Sequence, residues 1–389
     1  MSSLTHRERV LISLNHQEPD RVPLDFGGIA TSEIVAHAYV NLKRYLGFQP
    51  ETKEMKGLSR TVIPEDVLLQ RFDIDTRQLK LGDFISTPRR IIDANCYVDP
   101  WGAVWKRAPD SFFLNVDGPF KNSDSTIADL ERFQWPDPND PGLYEGLKEK
   151  AEFLRKNSDF ALILNVAPVS GILKQCFNMR GFAELLMDLY ENAAFASRLL
   201  DIITDLHIKI AVNALHAAGD NVDILFFPDD LGHQQATFMS PRLYRELIKP
   251  RHKRFVEALK SRSNAKILLH SDGAICGVIQ DLIEIGIDAL NPVQVSARNM
   301  DPAVLKREFG DRLSFWGAVD TQQILPFESP RKVREEVRRI IDLLGKGGGY
   351  ILASVQSIQE EVPPENIVAM FEEGKSYGVY SRRALVPPS

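Results

Sequence analysis

The stretch ILLHSDGAICG (267–277) carries an apolar run straight into His270 and Asp272. Two positions apart on an extended strand, an imidazole and a carboxylate lie on one face. A nitrogen and a hard oxygen so placed can share a cation such as zinc or handle a proton. A strand running out into a polar loop is the plainer reading, because Ser, Asp and Gly favour turns. No HExxH and no suitably spaced thiolate accompanies the pair. Cys276, four residues on, is expected in the core of the next helix.

The choice depends on what the other elements bring alongside. Eight apolar runs end in polar residues, at 22–28, 72–82, 161–168, 222–230, 265–273, 287–294, 313–320 and 348–356. Short, wholly apolar strands indicate a parallel sheet covered on both faces. Helical periodicity fills the intervals. Residues 181–219 predict two helices, and 240–261 and 329–349 each open on Ser-Pro, a cap followed by a first-turn proline. GKGGGY (345–350) precedes a strand and so reads as a helix stop, not a phosphate loop. Strand and helix alternating eight times predict an α/β fold, a (β/α)8 TIM barrel in one domain over 1–380. An insertion follows the second strand at about 83–160, with a hairpin at 96–109, and 381–389 is a C-terminal tail.

Active sites of such barrels gather at the C-terminal strand ends. The candidates there are Asp25 from the first strand, Asp75 from the second, Asn165 from the third, and Asp230 with nearby Gln235 from the fourth. The fifth offers His270 and Asp272, the sixth Asn291 and Gln294, the seventh Asp320 and the eighth Gln356. Each alone could be a cap or a turn. Together on one face, their carboxylates would perturb one another and suit metal binding or proton transfer. Phe226, Phe227 and Trp316 are expected to pack the barrel, and His6 and His16 to lie on the surface.

Composition narrows the classes of function. A net charge of −6 with scattered basic residues offers no stripe for nucleic acid. Three dispersed cysteines give no disulfide framework and fit a reducing cytoplasm. The charged N-terminus resembles no signal peptide, and no run is long enough for a membrane span.

The order and spacing of EPDRVPLDFGG (18–28), PDDLGHQQATFMSPRLYRELIKPRHKR (228–254), LLHSDGAICGVIQDLIEIGIDALNPVQ (268–294), FGDRLSFWGAVDTQQILP (309–326) and GGYILASVQSIQEEVPPENIVAMFE (348–372) resemble the uroporphyrinogen decarboxylase superfamily across nearly the whole chain. The resemblance implies a (β/α)8 barrel and one of two chemistries. Decarboxylases of the superfamily act without a cofactor, holding a porphyrinogen with arginines after the first strand and an aspartate after the second. Asp75 matches that aspartate, but DFGGIATSEI (25–34) contains no arginine for the substrate's carboxylates. The other branch transfers methyl groups with a corrinoid, and its thiol-directed members hold zinc with a His-x-Cys pair and a later cysteine. Here those positions are His270-Ser271-Asp272 and Gln356, so the sulfur is gone and a harder His/Asp site, with Asp230, remains.

The leading expectation is therefore a corrinoid-dependent methyltransferase acting on a small methylated substrate. His270, Asp272 and Asp230 would bind zinc or work as acid and base. Asp25, Asn165, Gln235, Asn291, Gln294, Asp320 and Gln356 would contact substrate, and a partner protein would supply the corrinoid. A homodimer is expected from the resemblance. The second expectation is uroporphyrinogen III decarboxylation in porphyrin biosynthesis through Asp75, and the third a non-catalytic barrel that binds a corrinoid or tetrapyrrole.

Overall fold

A computed structural model describes residues 4–49, 60–108, 111–167 and 170–380; the tail at 381–389 lies outside them. Seven parallel strands form one sheet: β1 (Thr76–Leu79), β2 (Ala161–Asn165), β3 (Ile224–Pro228), β4 (Lys266–His270), β5 (Ala289–Asn291), β6 (Ser314–Val319) and β7 (Tyr350–Ser354). They stand in sequence order, each hydrogen-bonded to the next.

The expected first strand survives only as a short splice that closes the ring. Leu24 bridges Leu352 in parallel. The Asp25 N–H donates to the Leu352 carbonyl, the Leu352 N–H to Pro23 and the Asp75 N–H to Leu24. Pro23 has no N–H for the ladder, and Gly27 turns away at φ +76°. Gly27 has no room to be anything else, since a Cβ there would lie 2.6 Å from Pro64.

The second strand also starts later than its apolar run predicts. A helix, Asp66–Phe72, continues to Phe72 and is closed by Asp73 in the left-handed region. Asp75 therefore precedes β1 and sits at its N-terminal end, opposite the C-terminal mouth of the barrel. Propensity at 72–75 yields to a helix cap.

Alternation along the strands divides the core in two. Ala161, Ile163, Ile224, Phe226, Leu268, Ala289, Trp316, Ile351 and Ala353 fill the barrel interior with Ile29. Phe227 and the intervening residues pack outward against the helices. Both predicted helices of 181–219 form, as Phe182–Glu191 and Ala193–Ala218. Ser240 caps the next as expected, but the helix widens to a π turn at Tyr244–Ile248. Pro250 lacks the donor that an α turn requires there. Pro330–Leu344 starts on the Ser329 cap and stops at Gly345.

The insertion folds as a four-stranded antiparallel sheet (90–93, 96–98, 104–106, 114–117). The expected hairpin is its middle pair, with Tyr97 opposite Trp105. Two expectations need correcting. Cys276 is half-buried at the start of its helix, at the edge of the core. His6 and His16 are half-buried too: His6 touches Asp73 and Asp159, at 3.0 and 2.9 Å, and His16 touches the Gly310 carbonyl at 3.1 Å. Among the described residues, no helix is long and apolar enough to cross a membrane.

Candidate active site

β4 delivers its last side chain, His270, into the interior at the C-terminal end, because Leu268 two residues earlier already faces inward. The imidazole is buried, and its Nδ1 lies 2.6 Å from Asn291 Oδ1 on β5. An amide oxygen only accepts, so Nδ1 carries the proton and Nε2 faces the mouth. Asn291 is held in turn. Its Oδ1 also accepts from Thr31 at 3.0 Å, and its Nδ2 donates to the Trp316 carbonyl at 3.3 Å.

Two carboxylates meet that nitrogen. Asp230 Oδ1 lies 3.8 Å from Nε2 and Asp272 Oδ2 3.7 Å. Gln356, just beyond β7, donates to Asp272 Oδ2 at 2.6 Å. The backbone couples the two loops, since the Asp272 N–H donates to Asp230 Oδ1 at 3.1 Å. Ser271 Oγ accepts from the Leu231 N–H. Asp272 Oδ1 is buried with no hydrogen-bond partner among the described residues.

The electrostatics follow from this packing. Burial alone would discharge His270, but Asp272 and Asp230 hold its pKa up at about 9. Burial also pushes the Asp230 carboxyl up, against the pull of His270. For Asp272 burial is outweighed by His270, and its pKa falls. Gln356 Nε2 stands 3.3 Å from His270 Nε2 and can donate only to the neutral ring. The cluster therefore suits two states: an imidazolium between carboxylates, or a neutral imidazole whose lone pair points where a cation would sit.

The donor set fits that cation. One ligand atom each from Asp230, His270 and Asp272 lie within 4.8 Å of one another. Ligands about 2.1 Å from a tetrahedral zinc would be about 3.4 Å apart, close to the 3.7 and 3.8 Å separations here. Nitrogen with two carboxylate oxygens is a zinc-compatible set that keeps a position open for substrate.

The other expected residues divide clearly. Asn291 and Gln356 belong to the cluster. Gln294 supports it at one remove, accepting from the Gly273 N–H at 2.7 Å and donating to Gln234 at 2.6 Å. Asn165 closes β2, its Oδ1 accepting from the Ala167 N–H.

Four expectations are displaced. Asp25 is fully buried, and its oxygens accept from Gly28 N, Thr76 Oγ1 and Trp316 Nε1 at 2.9, 2.6 and 2.9 Å, so it anchors the 27–32 turn within the barrel. Asp75 accepts from Arg9 at 2.6 Å, from Arg21 at 2.8 Å and from Leu24 N at 2.7 Å at the far end. Asp320 caps the Gln322 and Gln323 amides. Gln235 is solvent-exposed on its loop.

Sequence reading missed Thr31, Lys174 and Gln78. Thr31 reaches Asn291 across the barrel, a contact no local pattern signals. Lys174 starts the helix Ile172–Arg180, whose first amides Asp229 holds, and its charge acts on both site carboxylates. Gln78 had a signal, the inward alternation of Thr76 and Gln78 along β1.

Sheet order and mouth chemistry define a (β/α)8 barrel with a polar C-terminal site. The sequence profile of the uroporphyrinogen decarboxylase (URO-D) family matches residues 116–377, more than half of the chain, and the protein belongs to that family. The chain is 25% identical over 194 residues to a uroporphyrinogen decarboxylase of Hydrogenovibrio crunogenus, a match covering 49% of this chain and about half (51%) of that protein. It is 23% identical over 266 residues to the enzyme so named in Methylococcus capsulatus, covering 67% and 72%. Among solved structures, a methyltransferase from Methanosarcina mazei superposes with a TM-score of 0.68 at 18% identity, over 96% of this chain and 99% of that one. At that identity the likeness speaks for the fold.

Proposed function

We propose that the protein is a metal-dependent methyltransferase that moves a methyl group between a small substrate and a corrinoid carried by a partner protein. The observation behind this reading is the convergence of Asp230, His270 and Asp272 ligand atoms at one strand-end cluster. His270, locked by Asn291, would offer Nε2, and Asp230 and Asp272 one oxygen each. Zinc bound there would act as a Lewis acid toward the atom that carries the methyl group. The residues do the rest. Gln356 holds Asp272, Asp272 N–H holds Asp230, and Asn291 fixes the imidazole tautomer. Without metal, His270, kept protonated by Asp272 and Asp230, is the group placed to give a proton to a leaving oxygen or nitrogen.

Decarboxylation is the second reading, favoured by the names of the relatives. Two features count against it. The stretch 25–34 contains no arginine, and Asp75 is committed to Arg9 and Arg21 at the other end of the barrel.

The test is elemental analysis of purified protein, then methyl transfer from methoxy and methylamine compounds to reduced cobalamin, followed by corrinoid absorbance. About one zinc per chain, lost with His270→Ala together with methyl transfer, is expected. Absence of zinc uptake by wild type, with conversion of uroporphyrinogen instead, would overturn the reading.

A further inference from the structure

Gln78 lies on β1 between two side chains whose needs are met. Thr76 below it donates to Asp25, and Lys80 beyond it pairs with Glu33 at 2.5 Å. Gln78 is 4% exposed, and neither its amide nitrogen nor its amide oxygen has a hydrogen-bond partner among the described residues. It stands opposite Ile163, which packs inside the barrel. Neighbours in register on a parallel sheet face the same way, so the amide points inward. Leu79 next to it faces the outer core.

A buried amide with both its donor and its acceptor idle is costly, and native interiors rarely leave one without a purpose. Asp272 Oδ1 is another buried polar atom without a partner among the described residues. A carboxylate would accept from the amide nitrogen but leave the amide oxygen idle. The amide itself needs a complement that both donates and accepts.

We infer that Gln78 grips the non-methyl end of the substrate, pairing its amide with a neutral group that donates and accepts, such as a carboxamide or a hydroxyl. This rests on the methyl-transfer reading above and names the kind of substrate it would take. Gln78 is then a specificity residue, remote from the transferred methyl group.

Two probes of equal size separate the possibilities: 2-methoxyacetamide, which donates and accepts, and 1,2-dimethoxyethane, which only accepts. Each is titrated calorimetrically into the full chain, with zinc and without. Wild type should bind the amide about tenfold more tightly, the worth of roughly one neutral hydrogen-bond pair. In Gln78→Leu that ratio should fall to about one with zinc content unchanged. The ligand-free variant should melt at a higher temperature, because a buried idle amide is gone. Gln78→Met serves as the second variant if leucine does not fold.

No preference in wild type, including failure of both probes to bind, overturns the inference and marks the amide as one satisfied by water. A preference that persists in Gln78→Leu, or a lower melting temperature for the ligand-free variant, overturns it as well. Loss of zinc uptake by wild type would overturn the metal reading alone, since the amide preference is read in zinc-free protein too.

Discussion

At the scale of single residues, like carboxylates end in opposite roles. Asp272 and Asp75 both come from strand ends, but one faces a mouth with an idle oxygen and the other is clamped by two guanidiniums. Asp75→Asn leaves Arg9 and Arg21 buried against a neutral amide, so it should cost about 3–5 kcal/mol in urea unfolding. On the proposed zinc reading, zinc content should stay at the wild-type level; a folded variant without zinc would mean that Asp75 acts on the Asp230–His270–Asp272 cluster. Asp272→Asn should do the reverse, sharply lowering zinc uptake at little cost in stability. Gln356→Leu removes the donor to Asp272 Oδ2 and should weaken zinc binding about 10–100-fold, as loss of a ligand-orienting hydrogen bond does, measured by competition with a chelator.

At the scale of elements, the first helix, His6–Leu14, is pinned to the barrel bottom through His6. Burial works against a charged ring there, but hydrogen bonds to Asp73 and Asp159 raise its pKa above the ordinary value. A raised pKa means the native state holds the proton more tightly than the unfolded chain. The stabilisation is therefore complete below about pH 6.5 and fades as pH rises through the folded value. His6→Gln should cost about 1 kcal/mol at pH 5.5, discounted for partial exposure, and less at pH 9. Equal losses at both pH values would show that the ring acts as a neutral contact. The turn 27–32 is the other decisive element, because it carries Thr31 from one side of the barrel to Asn291 on the other. Thr31→Val should loosen His270 through Asn291 and weaken zinc binding several-fold, without a large change in melting temperature.

At the scale of the whole molecule, the ring of strands is one cooperative unit packed from within. Phe226 is fully buried among Ile224, Leu268 and Trp316 in the inner cluster. Phe226→Ala should cost about 3–5 kcal/mol, because the ring has strands on every side and little freedom to collapse into the cavity. Unfolding should remain a single transition in circular dichroism and in tryptophan fluorescence. Divergence of the two signals would show that the insertion, with Trp101 and Trp105, melts separately.

Local pattern was enough for the alternation of strands and helices, for the Ser-Pro helix starts and for placing His270, Asp272, Asp230, Asn291 and Gln356 at strand ends, in one list with Asp25, Asp75 and Asp320. These follow from local signals, namely apolar runs, caps and two-residue alternation, which need no knowledge of distant partners. Tertiary structure alone decided which polar residues were free. Asp25 and Asp75 read like Asp230 in sequence, but Trp316, Thr76, Arg9 and Arg21 occupy their oxygens. Gln78, inside a strand rather than at its end, is left without a partner among the described residues. A hydrogen bond is satisfied by whatever closure of the barrel brings within about 3 Å, and residues hundreds of positions apart in the chain carry no local trace of that proximity.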